Sequence, residues 1–233
     1  MPTQADKPRY VAAMFDRIAR RYDLMNTLMT AGQDQRWRRM VAELATTRHS
    51  SWVLDVGTGT GRLGRAVRQI SPTARVVGID FTQGMLRRAS RDIHPTRADA
   101  VRLPFADEQF DAVVSAFVVR NLAEVTSGLA EQVRVLRPGG RLVMLETTPG
   151  PDNAILRPLV RLYFRRVVPL LGRLIAGDAA AYTYLPESTL AFLEPTRLAQ
   201  AVAECGLRDI NVRRLALGSV AITSARKPWV RRG

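Results

Sequence analysis

From residue 52 onward, short runs of β-branched and apolar residues alternate with longer stretches in which apolar positions recur at helical spacing. That pattern predicts strands near 52–56, 75–79, 96–99, 110–116, 141–147, 207–214 and 218–224. Helices are predicted at 62–70, 83–91, 124–136 and 195–205. Strand and helix taking turns along a chain is the signature of a mostly parallel, doubly wound sheet with helices on both faces, here an α/β fold with seven strands. Pro138-Gly139-Gly140 reads as the turn that delivers the helix 124–136 into the strand beginning at Arg141. No internal repeat or low-complexity tract interrupts the alternation.

Two segments fall outside it, both helical in pattern. Residues 8–45 are rich in Met, Arg and aromatics and are predicted to form a helical lid. Within them Tyr22, Met25 and Met29 stand at i, i+3 and i+7, a stripe that roofs a pocket or, as such stripes usually do, packs into a core. Residues 149–190 are predicted to be a helical insertion after the fifth strand. There Arg157, Arg161 and Arg165 follow one another at i, i+4 and i+8 with apolar residues around them. A basic amphipathic helix of this kind rests on a membrane surface, covers an apolar pocket, or presents a solvated charged edge.

The candidate chemistry begins at the end of the first strand. Val53-Leu54-Asp55-Val56-Gly57-Thr58-Gly59-Thr60-Gly61 runs from an apolar strand into alternating glycines and then opens a helix. Glycine is needed where the chain turns sharply and brings its backbone N–H groups against a ligand. Two readings fit. Gly59 to Gly64 satisfies the dinucleotide fingerprint G-x-G-x-x-G, while Gly57, Gly59 and Gly61 form the G-x-G-x-G loop of S-adenosylmethionine (SAM) methyltransferases. Asp80 closes the second strand about 20 residues on, where both classes place an acid on the ribose hydroxyls. Asp55 is read either as a partner of a ligand ammonium or as a capping group in the core.

Composition narrows the class further. The chain has 233 residues, which is enough for one large domain over 1–233, and no stretch of 18 apolar residues that would span a membrane. The N-terminus lacks the apolar core of a signal peptide, and a lone Cys205 excludes an internal disulfide, so a cytoplasmic location is expected. With only His49 and His94, and no His/Cys cluster, neither a metal site nor a Ser-His-Asp triad is expected. The net charge of +14 favours an anionic partner. Aromatics are only 6 % and no nucleic-acid module is recognisable, so an anionic membrane surface is the expected partner and nucleic acid is not.

Further along, Arg97-Ala98-Asp99-Ala100 precedes the strand Phe110-Asp111-Ala112-Val113-Val114-Ser115, an arrangement similar to the adenine-binding acid and fourth strand of class I methyltransferases. Four blocks then carry a specific resemblance. They are Tyr22-Asp23-Leu24-Met25-Asn26 with Gly32 and Trp37; Arg120-Asn121; Arg134 to Leu142 ending in Glu146; and Tyr182-Thr183-Tyr184-Leu185-Pro186-Glu187-Ser188. In this order and spacing the chain resembles the ubiquinone/menaquinone biosynthesis C-methyltransferase family almost from end to end, which implies the Rossmann-like class I methyltransferase fold.

The resemblance implies SAM as cofactor and the ring of a reduced prenylated quinone, most directly demethylmenaquinol, as acceptor. It places Gly57, Gly59, Thr60 and Gly61 at the cofactor's carboxylate, Asp55 at its ammonium, Ser115 at its methionine part, Asp80 at the ribose, and Asp99 and Ala100 at adenine. Arg120 is expected to stabilise an acceptor phenolate, Asn121 to orient the ring hydroxyl, a water or Asp23 to relay the proton and Tyr22 to face the substrate. A prenylated acceptor implies a protein working peripherally at the inner face of the membrane, and a homodimer is compatible with this. Departures stand at Thr30, Asp34, Arg62 and Thr148, where family members commonly have Ser, His, an acid and Ser.

Overall fold

The computed structural model describes residues 6–46, 52–151, 153, 155–176 and 178–229; His49 and residues 1–5, to which two of the expectations above refer, lie outside the described residues. Seven strands form a single sheet: β1 Trp52–Val56, β2 Arg75–Asp80, β3 His94–Arg97, β4 Phe110–Ala116, β5 Leu136–Thr147, β6 Arg208–Leu215 and β7 Val220–Arg226. Their order is β3-β2-β1-β4-β5-β7-β6, parallel except where β7 runs antiparallel to β5 and β6. The order reverses between β1 and β4, and at such a switch point the loops after the strands diverge and leave a crevice for a ligand.

Each face of the sheet is covered by helices whose apolar stripes match it. Against one face lie α3 (Gln33–Ala45) and α4 (Arg62–Ile70), through Trp37, Val41, Ala45, Leu63 and Val67. The other face carries α6 (Val125–Arg134) and α10 (Pro195–Glu204), through Leu129, Leu198 and Val202. The N-terminal helices and those of the segment after β5 build a third cluster. Met14 and Ile18 of α1 (Lys7–Ile18) and Met25 of α2 (Tyr22–Met29) meet Val168, Ala181, Tyr182 and Tyr184 there. The segment 8–45 is therefore divided: α1 and α2 join this outer cluster, whereas α3 is part of the sheet's own covering.

Several predicted boundaries shift, each for a local reason. The third strand lies two residues early, because Asp99 leaves the sheet to form a turn in which its Oδ1 accepts from Val101 N at 3.1 Å. The helix expected at 83–91 is the single turn α5 (Gln83–Leu86), since Ser90 N donates to Thr60 O at 3.0 Å and pulls the chain back to the glycine loop. Pro138-Gly139-Gly140 is a bulge inside β5 and no separate turn: Leu136 pairs with Phe110, but Arg141 already pairs with Ala112. Gly139 takes a φ of +78° to make that bulge. The basic helix is also not uniform. It runs as α7 (Leu156–Leu162), a π-helical stretch at Tyr163–Val167, α8 (Val168–Leu171) and a second π-helical stretch at Gly172–Ala176, followed by α9 (Ala179–Leu190). Among the described residues no helix is long and apolar enough to cross a membrane.

Candidate functional site

The principal cavity opens at the switch point and is lined from both sides. Asp55, Gly57, Thr58, Gly59, Thr60, Asp80, Asp99, Ala100 and Phe117 come from the sheet side. Pro8, Val11, Phe15, Tyr22 and Asp23 come from α1 and α2, with Arg38 and Asn121 between. The lid is fastened over it at several points. Lys7 Nζ donates to the carbonyls of Arg120 and Leu122 at 3.0 and 2.8 Å, Gly84 N to Asp16 at 2.7 Å, and Thr60 Oγ1 to Asp23 at 2.9 Å.

The loop after β1 takes its shape from its glycines. Gly57 has a φ of +63°, and a Cβ there would come within 2.3 Å of Val118. Gly59 differs: its φ is +57°, but a Cβ would meet no protein atom within 4 Å, so the space beside it is left for a ligand. Asp80 fixes this loop to β2, its two oxygens accepting from Gly59 N and Thr82 N at 2.8 Å each. Burial raises the Asp80 carboxyl, with these backbone donors opposing it. The Thr82 hydroxyl adds a third donor, and the carboxylate still keeps acceptor capacity for a ribose hydroxyl.

Asp55 is buried, and both of its donors fall on one oxygen: Thr58 Oγ1 at 2.6 Å and Gly64 N at 2.9 Å reach Oδ2. Oδ1 has no partner. Burial pushes the carboxyl up to about 6, against the pull of Thr58, Gly64 and the Arg38 guanidinium. An unpartnered, buried carboxylate oxygen on a cavity wall is a site built for a cation. It fits the ammonium of SAM, and the open space at Gly59 fits the close approach of the rest of that ligand.

Of the residues expected at the site, Asp55, Gly57, Gly59, Thr60, Asp80, Asp99, Ala100, Tyr22, Asp23 and Asn121 line the cavity, while Gly61, Ser115 and Arg120 do not. Gly61 supports the loop from behind, its φ of +80° turning the chain into α4. Ser115 is fully buried; Ala116, on the alternate side of the strand, and Phe117, past the strand's end at a φ of +63°, line the cavity in its place. Arg120 is turned into the protein, where Nη1 meets Glu146 Oε2 at 3.0 Å and both side chains are almost wholly buried. Burial raises the Glu146 carboxyl, opposed first by Arg120. Met25 lies in the outer core and Tyr182 is completely buried, as packing positions at helical spacing would be. Among the described residues no cluster of metal ligands occurs.

Two guanidinium groups line the cavity, Arg62, which is held by Asp34 at 2.9 Å, and Arg38, which the sequence did not single out. The buried stripe of α3 runs Asp34, Trp37, Arg38, Val41, Ala42, Ala45, placing two charged residues at core positions of an amphipathic helix. That misplacement was the available signal. Phe117, at a φ of +63°, presents its ring to both guanidinium groups, 5.5 Å from Arg38 and 5.8 Å from Arg120.

Asp34 also resolves one of the departures. It is fully buried and bridges Arg62 at 2.9 Å and Arg38 at 3.5 Å. Positions 34 and 62, two of the departures expected from the resemblance, are thus partners in this chain, an acid facing a base that joins α3 to α4. Asp34→His alone should destabilise the fold by ~3 kcal/mol, because it strands the buried Arg38 and the half-buried Arg62. Adding Arg62→Glu should restore ~1–3 kcal/mol of it, measured by a double-mutant cycle in urea.

The sequence profile of the ubiE/COQ5 methyltransferase family matches residues 3–227. The chain belongs to that family. Membership implies SAM as the methyl donor of this methyltransferase. Among its relatives are a demethylmenaquinone methyltransferase of Deinococcus radiodurans, 47 % identical over 91 % of this chain and 90 % of that one. A ubiquinone/menaquinone biosynthesis C-methyltransferase of Desulfotalea psychrophila is 46 % identical over 91 % of this chain and 88 % of its own. Solved structures share the fold at low identity. A SAM-dependent methyltransferase of Thermotoga maritima gives a TM-score of 0.65 at 16 % identity, over 92 % of this chain and 99 % of that one. A Haemonchus contortus phosphoethanolamine N-methyltransferase, solved with SAM, gives 0.61 at 14 %, over 83 % and 52 %.

Proposed function

We propose that this methyltransferase transfers the methyl group of SAM to a ring carbon of a reduced prenylated quinone, demethylmenaquinol, and so forms menaquinol. The observation that carries the reading is a single cavity with two unlike walls. One wall holds the acids and glycines suited to a nucleotide-type ligand; the other, from α1 and α2, is apolar and aromatic apart from Asp23. The names of the relatives supply the acceptor class.

Bound SAM supplies an electrophilic methyl on a sulfonium, so the chain's own task is to bind, align and exclude water. Asp55 Oδ1 would hold the ammonium, Asp80 the ribose diol, and Asp99 with the backbone at Ala100 the adenine edge. On the acceptor, a ring carbon becomes nucleophilic only when the neighbouring hydroxyl gives up its proton. The hydroquinol has that hydroxyl and the quinone does not. A phenol titrates near ~10, so the phenolate needs a cation beside it at neutral pH. Arg38 holds that place in this chain. Arg120, neutralised by Glu146, acts instead by fixing the 119–121 turn that presents Asn121. Asn121 Nδ2 donates to Phe117 O at 3.2 Å and its Oδ1 accepts from Tyr184 at 3.5 Å, which sets the amide for the ring hydroxyl. Asp23, at 2.9 Å from Thr60, takes the hydroxyl proton directly or through a water. Once the methyl is on carbon and the sulfonium has left as the thioether, the ring hydrogen at that carbon leaves as a proton and the hydroxyl is reprotonated, which restores the aromatic hydroquinol.

Label transfer from SAM to dithionite-reduced demethylmenaquinone, oxidised demethylmenaquinone and a reduced benzoquinone counterpart, side by side, tests the reading. Transfer to the reduced naphthoquinone above the other two is expected. Equal transfer to small water-soluble phenols without vesicles would overturn it in favour of a methyltransferase of aromatic metabolites.

A further inference from the structure

The helical segment from Ile155 to Ala176 is apolar on two sides, and only one of them is covered. Its inner side, with Tyr163, Phe164, Val168, Leu171 and Ile175, packs into the cluster that backs the lid. The other side carries Ile155, Leu159, Leu162, Val167, Leu170 and Leu174, all between 39 and 77 % exposed. Their spacing is four, three, five, three and four residues. The single step of five spans the π-helical stretch at Tyr163–Val167, where a turn takes up one extra residue, so the stripe stays on one side along its length. A surface helix normally faces water with polar residues once its inner stripe is buried.

What surrounds the stripe points to its partner. Residues 153–177 include Arg157, Arg161, Arg165, Arg166 and Arg173 and no Asp or Glu. Arg161, Arg165, Arg166 and Arg173 are exposed, whereas Arg157 is half-buried and spends Nε on Pro151 O at 2.9 Å. The regular row of arginines at i, i+4 and i+8 is therefore broken, but the positive rim is not. A helix with leucines on the outside, arginines beside them and no acid is matched in shape and charge by an anionic lipid surface, with the leucines among the acyl chains and the guanidinium groups at the phosphates. The neighbouring α2, joined through Tyr163 Oη donating to Met29 O at 2.7 Å, adds exposed Leu24 and Leu28.

We infer that the outer stripe of 155–174 docks this methyltransferase on an anionic bilayer, with the segment lying in the plane of the interface. The inference stands on the stripe and its charges, so it survives whichever acceptor the cavity takes. If the acceptor is the prenylated quinol proposed above, docking brings the lid to the surface in which that acceptor resides.

The test is co-sedimentation of the full chain with phosphatidylcholine vesicles and with vesicles of about three parts phosphatidylcholine to one of phosphatidylglycerol. The protein should partition to the anionic vesicles, less so as salt is raised. The triple variant Leu159→Ser/Leu170→Ser/Leu174→Ser should lose at least tenfold in partitioning. Arg161→Gln/Arg165→Gln/Arg173→Gln should lose affinity for the anionic vesicles only, about fivefold per arginine. Near-ultraviolet circular dichroism and the thermal midpoint show that each variant is folded. Wild-type protein that ignores anionic vesicles, or leucine variants that are folded yet bind as wild type, would overturn the inference. So would a dimer in gel filtration that the leucine variant dissociates without changing vesicle binding, since the stripe would then be the contact between two copies.

Discussion

Asp55→Asn is expected to weaken SAM binding by about 100-fold while making the ligand-free protein more stable at neutral pH. Both effects come from one unpartnered oxygen. The folded carboxyl titrates near 6, above its ordinary value of 3.8, because burial disfavours the charge more than Thr58, Gly64 and Arg38 restore it. A group whose pKa is higher in the fold binds protons more tightly there. Its contribution to stability is complete below about pH 3.8 and is lost as pH rises through 6. The gap corresponds to ~3 kcal/mol of cost at pH 7, which asparagine removes in part. A rise of several degrees in the ligand-free midpoint is expected, at ~2–4 °C per kcal/mol for a chain of this size.

The ligand cation reverses the balance. An ammonium against Oδ1 favours the ionised carboxylate, and a charged hydrogen bond of this kind contributes ~1.5–3 kcal/mol, the source of the affinity lost in the variant. In wild type, affinity should fall as pH drops through about 6, and binding below that pH should release a proton. Calorimetry in buffers of different ionisation heats reads the proton directly. A variant that binds SAM normally, or wild-type binding with no proton released near pH 5.5, would refute the assignment. Stability and function oppose each other at this residue, as expected where a site holds a charge ready for its ligand.

Arg38→Met is expected to lower kcat by 10²–10³ with little change in SAM affinity. Removing one preorganised group that meets a developing oxyanion costs ~2.7–4 kcal/mol in other enzymes, and of the two guanidinium groups on the cavity wall Arg38 is the one less tightly held by Asp34, at 3.5 Å against 2.9 Å for Arg62. The pH profile separates this role from a structural one. Without the cation the acceptor hydroxyl must lose its proton unaided, so the variant's rate should go on climbing with pH where wild type has levelled, and Arg38→Lys should recover part of the loss. Arg120 supplies the contrast. Arg120→Met leaves Glu146 buried and unpaired and should cost ~3–5 kcal/mol of stability. Arg120→Met with Glu146→Gln should recover much of that stability and retain more turnover than Arg38→Met. If the paired variant is the slower one, the phenolate partner is Arg120 after all.

Much of this was legible in the chain. The strands declared themselves because a parallel sheet buried on both faces needs continuous apolar runs, and β1, β2 and β4 supply them. The glycine loop and Asp80 were legible because their spacing reflects backbone geometry, which is local. Positions decided by distant partners were not. Arg120 sits in a short motif next to Asn121, yet only the fold reveals that Glu146, 26 residues away, turns its guanidinium inward. Arg38 looked like one more cation among many until α3 brought it beneath Phe117. The exchanges at Asp34 and Arg62, 28 positions apart, read singly as two anomalies; at 2.9 Å they are one compensated pair.

The central claim is methylation at a ring carbon of a reduced quinone, and the position of the new methyl tests it most directly. The full chain is incubated with methyl-labelled SAM and dithionite-reduced demethylmenaquinone in anionic vesicles, and the product is then reoxidised in air. Methylation at carbon leaves both ring hydroxyls free, so the label should be found on a product that oxidises to menaquinone. Label on a monomethyl ether that resists oxidation to the quinone would mean transfer to oxygen, and would contradict the account.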